Sequence, residues 1–587
     1  MLVMYSRLYS VTQARYFSLS TRVNAVSSYS SSNARSNGKP KSRVDSKWST
    51  RTKPPVKSWK DNSKPNYRKD LKEDVRGRPS QKRDQQKQQF KYGEYGNLSE
   101  GDPTILERSK RIVSKINDFS QLKILPEVRD KLMDVIASES LLNKSLKNVE
   151  YNPEESNVQE FKKSLKPSPI QTTTIYQTSK TLMDPQLQVR LIAAETGSGK
   201  TMAYLIPLVD YLKRVESENP AWESMKSKAI VRSIILLPTH ELVEQVYQTV
   251  AKLQPALGMH TYKWDAGSSY KGFVEALKGR IDIMVTTPGK ILSLFNISMV
   301  NRPDRILSQV KFLVMDEADT LLDKSWVEDS YSTIKHMQNL NHVLFCSATI
   351  PKEFQKTITR LFPSVGVIAS PNLHKINHKN QIKLINADMA PYKGSKNKAL
   401  AQILYSINRD NIDPGFEKRA VVFVNEKENV PAVAAKLTNQ YGHDVVALTG
   451  NDSVEERLEK IGPFMSPPQR IAKVKLGKID PENTKAKRIP NSNIVIEEAP
   501  EGSSESAFES TLKVLVTTDV LARGINFRGC RYVVLYDIPN TPVDLVHRVG
   551  RTGRMNQKGS VFIITGKRVK NWVKGIPSIV SKNVTIS

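Results

Sequence analysis

Cysteine is almost missing from this chain: of 587 residues only Cys346 and Cys530 carry a thiol, both inside apolar stretches. That excludes a disulfide framework and a cysteine-ligated metal centre, and it points to reducing surroundings. Long apolar runs are absent too. The longest, such as 233–237 and 532–536, fall far short of the roughly 20 residues a membrane helix needs and suit buried strands instead. A soluble protein without membrane insertion is therefore expected. Acidic residues are the third scarcity: 59 Asp and Glu stand against 89 Lys and Arg, a formal charge of +30. A chain this basic repels itself unless a polyanion neutralises it, so nucleic acid is the first partner class to consider. With 39% apolar residues, a chain of this length can bury two or more cores.

The positive charge is concentrated at the start. Residues 1–100 hold 22 basic and 8 acidic side chains, a surplus of 14 out of the total of +30. Within 1–44, Arg7, Arg15, Arg22, Arg35, Lys39, Lys41 and Arg43 lie among many Ser and Tyr with no acid before Asp45. That composition is expected of a mitochondrial transit peptide, and Arg15-Tyr16-Phe17-Ser18 resembles a processing site; the alternative is an ordinary disordered basic N-terminus. The mitochondrial matrix is the expected address. Residues 45–118 begin with Lys, Arg, Gln, Asn and Pro and few aliphatics, too little apolar surface to offset ordering entropy. A disordered basic tail is expected, either a solvated spacer or a sequence-indifferent RNA tether acting through phosphate charge.

Past residue 118 the pattern changes. Short β-branched runs followed by amphipathic stretches recur, as in 190–212 and 233–253, which predicts an α/β fold with parallel sheets covered by helices. A first block is placed at 119–370, a linker at 371–396, a second block at 397–570 and a short tail at 571–587. Polar inserts interrupt the blocks at about 138–160 and 462–511, the second turning from basic (Arg470, Lys473, Lys475) to acidic (Glu497, Glu498, Glu501). It is expected to be a solvated, self-compensating loop, with a binding arm as the alternative.

The first block carries a phosphate-binding signature. A predicted strand over 190–194 leads into Ala194-Glu195-Thr196-Gly197-Ser198-Gly199-Lys200-Thr201 and then an amphipathic helix, the setting a P-loop requires. Successive backbone N–H groups and the helix start would face phosphates, Lys200 would reach the terminal ones, and the Thr201 hydroxyl would serve Mg²⁺. A second buried strand, 311–315, ends in Asp316-Glu317-Ala318-Asp319, at the edge where ligands of open α/β sheets gather. Asp316 is the candidate for holding Mg²⁺, and Glu317 for orienting and deprotonating an attacking water.

With these residues in order, the sequence resembles the DEAD-box RNA helicases over about 119–570, and most resembles the fungal mitochondrial members linked to large ribosomal subunit assembly. Lys166-Pro167-Ser168-Pro169-Ile170-Gln171 is similar to the family's adenine-reading motif, and Phe119 looks like the aromatic that stacks on the base, its alternative being a core residue. Pro238-Thr239-His240 and Pro288-Gly289-Lys290 are similar to the segments that grip an RNA backbone. Ser347-Ala348-Thr349 looks like the motif that couples ATP state to domain closure, in which Asp319 would take part. In the second block, Asp519 falls in a motif near the nucleotide. The octapeptide from His547 to Arg554 is similar to the motif that supplies arginine fingers, here Arg551 and Arg554.

Several positions depart from the family pattern: His240 and Lys290 stand where arginines are usual, Val454 where glutamine precedes Arg457, Asn526 where aspartate would bind ribose, Ala266-Gly267 where two glycines occur, and Ser164-Leu165 where Gly-Phe would be. The resemblance implies two tandem RecA-like domains, ATP and Mg²⁺ as ligands, RNA as partner, a monomeric protein, and short-range ATP-dependent unwinding. It leads to an RNA-stimulated ATPase acting on mitochondrial RNA, with ribosomal RNA in large-subunit assembly as the expected substrate. An ATP-locked RNA clamp with little turnover is the alternative, and a DNA helicase a third reading.

Overall fold

The computed structural model describes residues 102–144, 162, 164–220, 222–297, 300, 302–410, 416–469, 486–488, 495–497, 512–519, 524–554, 557–567, 569 and 571–586. The expected transit peptide and most of the basic tail lie outside them, as do residues 145–161 of the first insert and most of the second.

Fifteen strands are described: β1 (Gln188–Ala193), β2 (Val231–Leu236), β3 (Thr261–Trp264), β4 (Ile281–Thr286), β5 (Phe312–Met315), β6 (His342–Ser347), β7 (Gly366–Ala369), β8 (Asn380–Asn386), β9 (Lys418–Phe423), β10 (Asp444–Ala447), β11 (Ala486–Arg488), β12 (Val495–Glu497), β13 (Leu512–Thr517), β14 (Tyr532–Leu535) and β15 (Gly559–Thr565). Seven form one sheet in the order β3-β4-β2-β5-β6-β1-β7, and six form another in the order β10-β13-β9-β14-β15-β8. Every pairing within these two sheets is parallel. Helices cover both faces, so central strands such as β2, β4, β5 and β6 are buried along their whole length; this is why they read as continuous apolar runs rather than alternating ones.

The expected parallel α/β blocks are therefore present, but their edges differ from the expected boundaries. Residues Asn380–Asn386, placed in the linker, form β8 and pair with β15 from Gly559↔Asn380 to Thr565↔Asn386. An edge strand covered on one face keeps polar residues on the other, so it lacks the unbroken apolar run of a central strand. Residues 571–587 are not a loose tail: the helix Asn571–Ser581 buries Val573, Ile576, Ile579 and Val580. Gly575 and Pro577 inside it hide that helical pattern in the sequence. The helix Pro103–Lys115, inside the stretch expected to be disordered, begins at an Asp102 cap whose carboxylate accepts from Thr104 N at 2.8 Å, and it buries Ser109 and Ile112. In the second insert, β11 and β12 form an antiparallel pair from Ala486↔Glu497 to Arg488↔Val495.

The chain turns that carry function follow from simple local rules. Gly199 starts the helix Lys200–Glu218 with φ of 89°, a left-handed conformation that favours glycine. Ser168 and Gln171 form a reciprocal capping box at the start of the helix Pro169–Thr178, and Thr541 with Asp544 does the same for Pro542–Val549. The P-loop follows β1, Asp316 follows β5 and Thr349 follows β6, so these groups share the C-terminal edge of the first sheet. One buried apolar cluster continues from the first domain (Ile192, Val314) into the second (Val421, Leu545).

Candidate functional site

A cavity of about 800 Å³ opens between the two sheets, within the size range of small-molecule and cofactor sites. Its walls include Gln171, residues 196–201, Asp316 and Glu317 from the first domain, and Gly524, Asn526, Arg551 and Arg554 from the second. Residues more than 350 positions apart in the chain thus face one volume.

In the P-loop, Lys200 Nζ donates to the carbonyls of Ala194 at 3.0 Å and Glu195 at 3.2 Å, and Ser198 Oγ donates to Glu195 O at 2.7 Å. Those carbonyls hold the ammonium at the loop. The Gln171 carboxamide is fixed from both ends: its oxygen accepts from Ser168 N at 2.9 Å, and its Nε2 donates to Gly199 O at 3.2 Å. A Cβ on Gly199 would come within 2.5 Å of that Nε2, so glycine is required by space as well as by φ.

Asp316 is buried, and burial followed by the neighbouring Glu317 carboxylate pushes its pKa up to about 6. Its Oδ1 accepts from Glu317 N at 2.9 Å. Glu317 has φ of 50°, outside the usual range for a residue with a side chain, and its Oε2 is buried with no hydrogen-bond partner among the described residues. Backbone strain and an unsatisfied carboxylate at one residue mark a place held by its surroundings rather than by its own preference. The donor set suits Mg²⁺: Asp316 and the Thr201 hydroxyl are hard oxygen ligands, and this ion is usually bound by one or two carboxylates together with phosphate oxygens and water. Among the described residues there is no group of three His, Cys, Asp or Glu placed to hold a metal ion.

Across the cavity, Arg551 Nε donates to His547 O at 2.9 Å and Nη1 to Ile525 O at 2.7 Å. Arg554 donates from Nε to Gly550 O at 2.8 Å and from Nη1 to Asn526 Oδ1 at 2.6 Å. Burial, then the adjacent Arg551 charge, pulls the Arg554 pKa well down. A glycine on each side, Gly550 in this turn and Gly197 in the P-loop, lets the two segments touch. A Cβ on Gly550 would fall 2.0 Å from Thr196 Oγ1, and one on Gly197 would meet Arg554 Cγ at 3.0 Å.

Further contacts among the described residues join the domains. Thr349 Oγ1 donates to Asp319 Oδ2 at 2.7 Å, and His547 Nε2 lies 3.2 Å from the same oxygen and 3.3 Å from the Thr349 hydroxyl. Ser347 Oγ accepts from Thr349 N at 3.1 Å, fixing the turn. Asn526 N donates to Gln245 Oε1 at 2.6 Å. Arg457 Nε lies 3.3 Å from Glu241 Oε1, close enough to attract but not aligned to hydrogen-bond.

The segments containing Pro238, Thr239, His240 and Pro288, Gly289, Lys290 start two helices, capped by Thr239 and Thr287. His240 Nδ1 accepts from Ala266 N at 3.2 Å, and burial lowers its pKa. Lys290 Nζ sits over the Tyr270 ring at 5.0 Å.

Two family models match the chain: DEAD/DEAH box helicase over residues 168–357 and helicase conserved C-terminal domain over residues 499–556. A Kluyveromyces lactis protein named ATP-dependent RNA helicase MRH4, mitochondrial, is 89% identical over 499 residues, covering 85% of each chain. The chain belongs to the DEAD-box ATP-dependent RNA helicases.

The Saccharomyces cerevisiae protein of the same name is 50% identical over 518 residues, covering 87% of this helicase and 90% of that protein. Among solved structures, S. cerevisiae Dbp5 bound to RNA and ADP BeF3 matches with a TM-score of 0.54 at 21% identity, over 80% of this chain and 94% of that one. The DEAD-box helicase Mss116 bound to ssRNA and UDP-BeF matches with a TM-score of 0.53 at 17% identity, over 80% and 78%. These two likenesses establish the shared pair of RecA-like domains.

Two residues expected near the nucleotide are elsewhere in this helicase. Phe119 is 2% exposed in the apolar cluster with Leu122 and Val128 and does not line the cavity, so its core alternative describes it. Asp519 accepts both Nε and Nη2 of Arg548 at 2.6 Å, a bidentate pair that holds Arg548 rather than facing the cavity. Ile136 and Leu165 contribute apolar lining to the cavity. Sequence reasoning noted Leu165 only as a departure. It missed Gln245 altogether, because a polar residue on an amphipathic helix shows no motif to single it out.

Proposed function

We propose that this helicase is an RNA-gated ATPase of the mitochondrial matrix that remodels ribosomal RNA during assembly of the large mitochondrial ribosomal subunit. The observation that carries the ATPase part is the single cavity walled by the P-loop, Asp316, Glu317, Arg551 and Arg554. Lys200 turns from the Ala194 and Glu195 carbonyls to the terminal phosphates, and Gln171 reads the base edge. Asp316 and the Thr201 hydroxyl would hold Mg²⁺, which would supply positive charge against the phosphate oxygens. Glu317, with its unsatisfied Oε2, takes the proton of the attacking water. Arg551 and Arg554 stabilise negative charge developing on the transferred phosphoryl group. They come from the second domain, so hydrolysis depends on closure. RNA laid across His240, Lys290 and the second domain favours the closed form and thereby gates the chemistry.

The mitochondrial address is supported by the transit-like residues 1–44 and by the mitochondrial naming of the relatives; the ribosomal target is supported by the resemblance to members linked to that assembly. The test has two arms. Glu317→Gln is expected to lower RNA-stimulated ATP turnover by at least 100-fold while ATP binding persists, and to abolish growth that depends on mitochondrial translation; growth retained without turnover favours the clamp reading. Crosslinking the matrix protein to RNA and sequencing the bound fragments should recover large-subunit ribosomal RNA, and recovery of introns or messengers instead overturns the ribosomal assignment.

A further inference from the structure

Near Lys290 the first domain carries a group of aromatic side chains that is buried in the core at one end, at Trp264 and Phe273, and exposed at the other, at Tyr270. Trp264 and Phe273 stack at 4.1 Å with an interplanar angle of 8° and are fully buried. Tyr270, at the start of the helix Tyr270–Ala276, is 45% exposed. Lys290 Nζ lies 5.0 Å from the Tyr270 centroid and 5.9 Å from that of Trp264. Its ammonium covers one side of the tyrosine ring and leaves the remainder to solvent.

Tyr270 is also held in place. Ser269 Oγ accepts from Gly272 N at 3.0 Å, and Ser268 Oγ donates to Asp265 Oδ1 at 2.8 Å. Lys263 Nζ lies 3.1 Å from Asp265 Oδ2, and Ala266 N donates to His240 Nδ1 at 3.2 Å. The segment 264–270 thus reaches both residues proposed to touch RNA phosphates, His240 through Ala266 and Lys290 through the Trp264 and Tyr270 rings. Gly289 next to Lys290 is exposed, with no atom within 4 Å of an added Cβ, so a sugar-phosphate chain can approach closely there.

The geometry points to Tyr270 as a stacking platform for one base of single-stranded RNA, a contact to the base added to the grip on the backbone. Lys290 contributes a point charge where an arginine would give a planar fork, so phosphate recognition here is less directional. A base on an aromatic ring contributes roughly five- to a hundredfold in affinity and tolerates any sequence. A cation over the same ring strengthens the assembly through its negative face. Because the ring is already ordered, little is lost on binding. The inference rests on the RNA-binding reading above and adds a base contact to it.

Fluorescence anisotropy with the full mature chain and a non-hydrolysable ATP analogue tests it. The probes are a ten-nucleotide uridine oligomer and a series of the same oligomer with a single abasic nucleotide at successive positions. The wild type is expected to lose about five- to a hundredfold in affinity at one abasic position. Tyr270→Ala should bind the intact oligomer more weakly by a similar factor and lose its sensitivity to that position. Tyr270→Phe should behave as wild type, and KM for ATP without RNA should be unchanged in both variants. A Tyr270→Ala protein that binds the intact oligomer as wild type does, or that remains sensitive at the abasic position, overturns the stacking contact. A wild type that binds no RNA overturns the RNA reading itself, which distinguishes the two failures.

Discussion

Asp316 illustrates how a single side chain can be placed for chemistry against its own solvation. Burial and the Glu317 carboxylate raise its pKa to about 6, above the value near 3.9 of an exposed aspartate. The folded state therefore holds the proton more tightly than the unfolded one. This favours folding at pH below about 4, and the contribution is lost progressively as pH rises through about 6. At neutral pH the buried carboxylate opposes the fold of the ligand-free protein, partly offset by the Lys200 charge, the hydrogen bond from Glu317 N and the neighbouring Tyr204 hydroxyl. Asp316→Asn is accordingly expected to raise the Tm of the nucleotide-free protein by several degrees at pH 8, to raise it much less at pH 5, and to abolish ATP turnover. Thermal unfolding at the two pH values checks this. A Tm unchanged or lowered at pH 8 would show that the buried charge is not opposing the fold. The same titration gives an acid limb: in the wild type, kcat/KM for ATP should fall as the pH drops below about 6.

At the scale of elements, the sequence was most legible where two requirements coincide. The P-loop needs a strand, a glycine turn and a helix in succession, and Asp316-Glu317 needs a buried strand before it; both are written as contiguous residues. Edges were less legible because half-covered elements carry half the signal. β8 alternates in exposure along its length, and the helix Asn571–Ser581 buries Ile576 and Ile579 around an internal Gly575 and Pro577. Phe119 was ambiguous for another reason: an aromatic beside a motif and an aromatic in a core look alike until distances are known. The terminal helix is integral to the second domain, and that can be measured. Ile576, 1% exposed, carries no partner for a charge, so Ile576→Asp should lower the Tm by roughly 5–15 °C. Ser578→Asp on the exposed side of the same helix should shift it by no more than about 2 °C. Equal effects of the two substitutions would mean that the helix is not docked through this face.

For the whole molecule, the deciding question is what holds the two domains together once ligands have brought them close. The cleft is lined by groups that are costly to bury and that find partners across it: His547 with Asp319 and Thr349, and Arg457 with Glu241. Glu241 is 0% exposed and accepts no hydrogen bond among the described residues, so its charge depends on the Arg457 guanidinium. In an open form water replaces that guanidinium, whereas in a closed form without it the carboxylate is buried and unpaired. Breaking one partner of a buried pair is more damaging than removing both, which gives a sign that simple loss of a contact does not. Native Cys346 and Cys530 are buried, so one exposed engineered cysteine on each domain can carry a dye pair that reports closure. Arg457→Ala is expected to need on the order of tenfold more RNA for half-maximal closure in the presence of a non-hydrolysable ATP analogue. The double variant Glu241→Ala with Arg457→Ala should recover much of that loss, giving a coupling energy of about 1–3 kcal/mol. A double variant at least as impaired as the sum of the singles would mean that Glu241 contributes independently of Arg457, and that closure does not turn on the desolvated carboxylate.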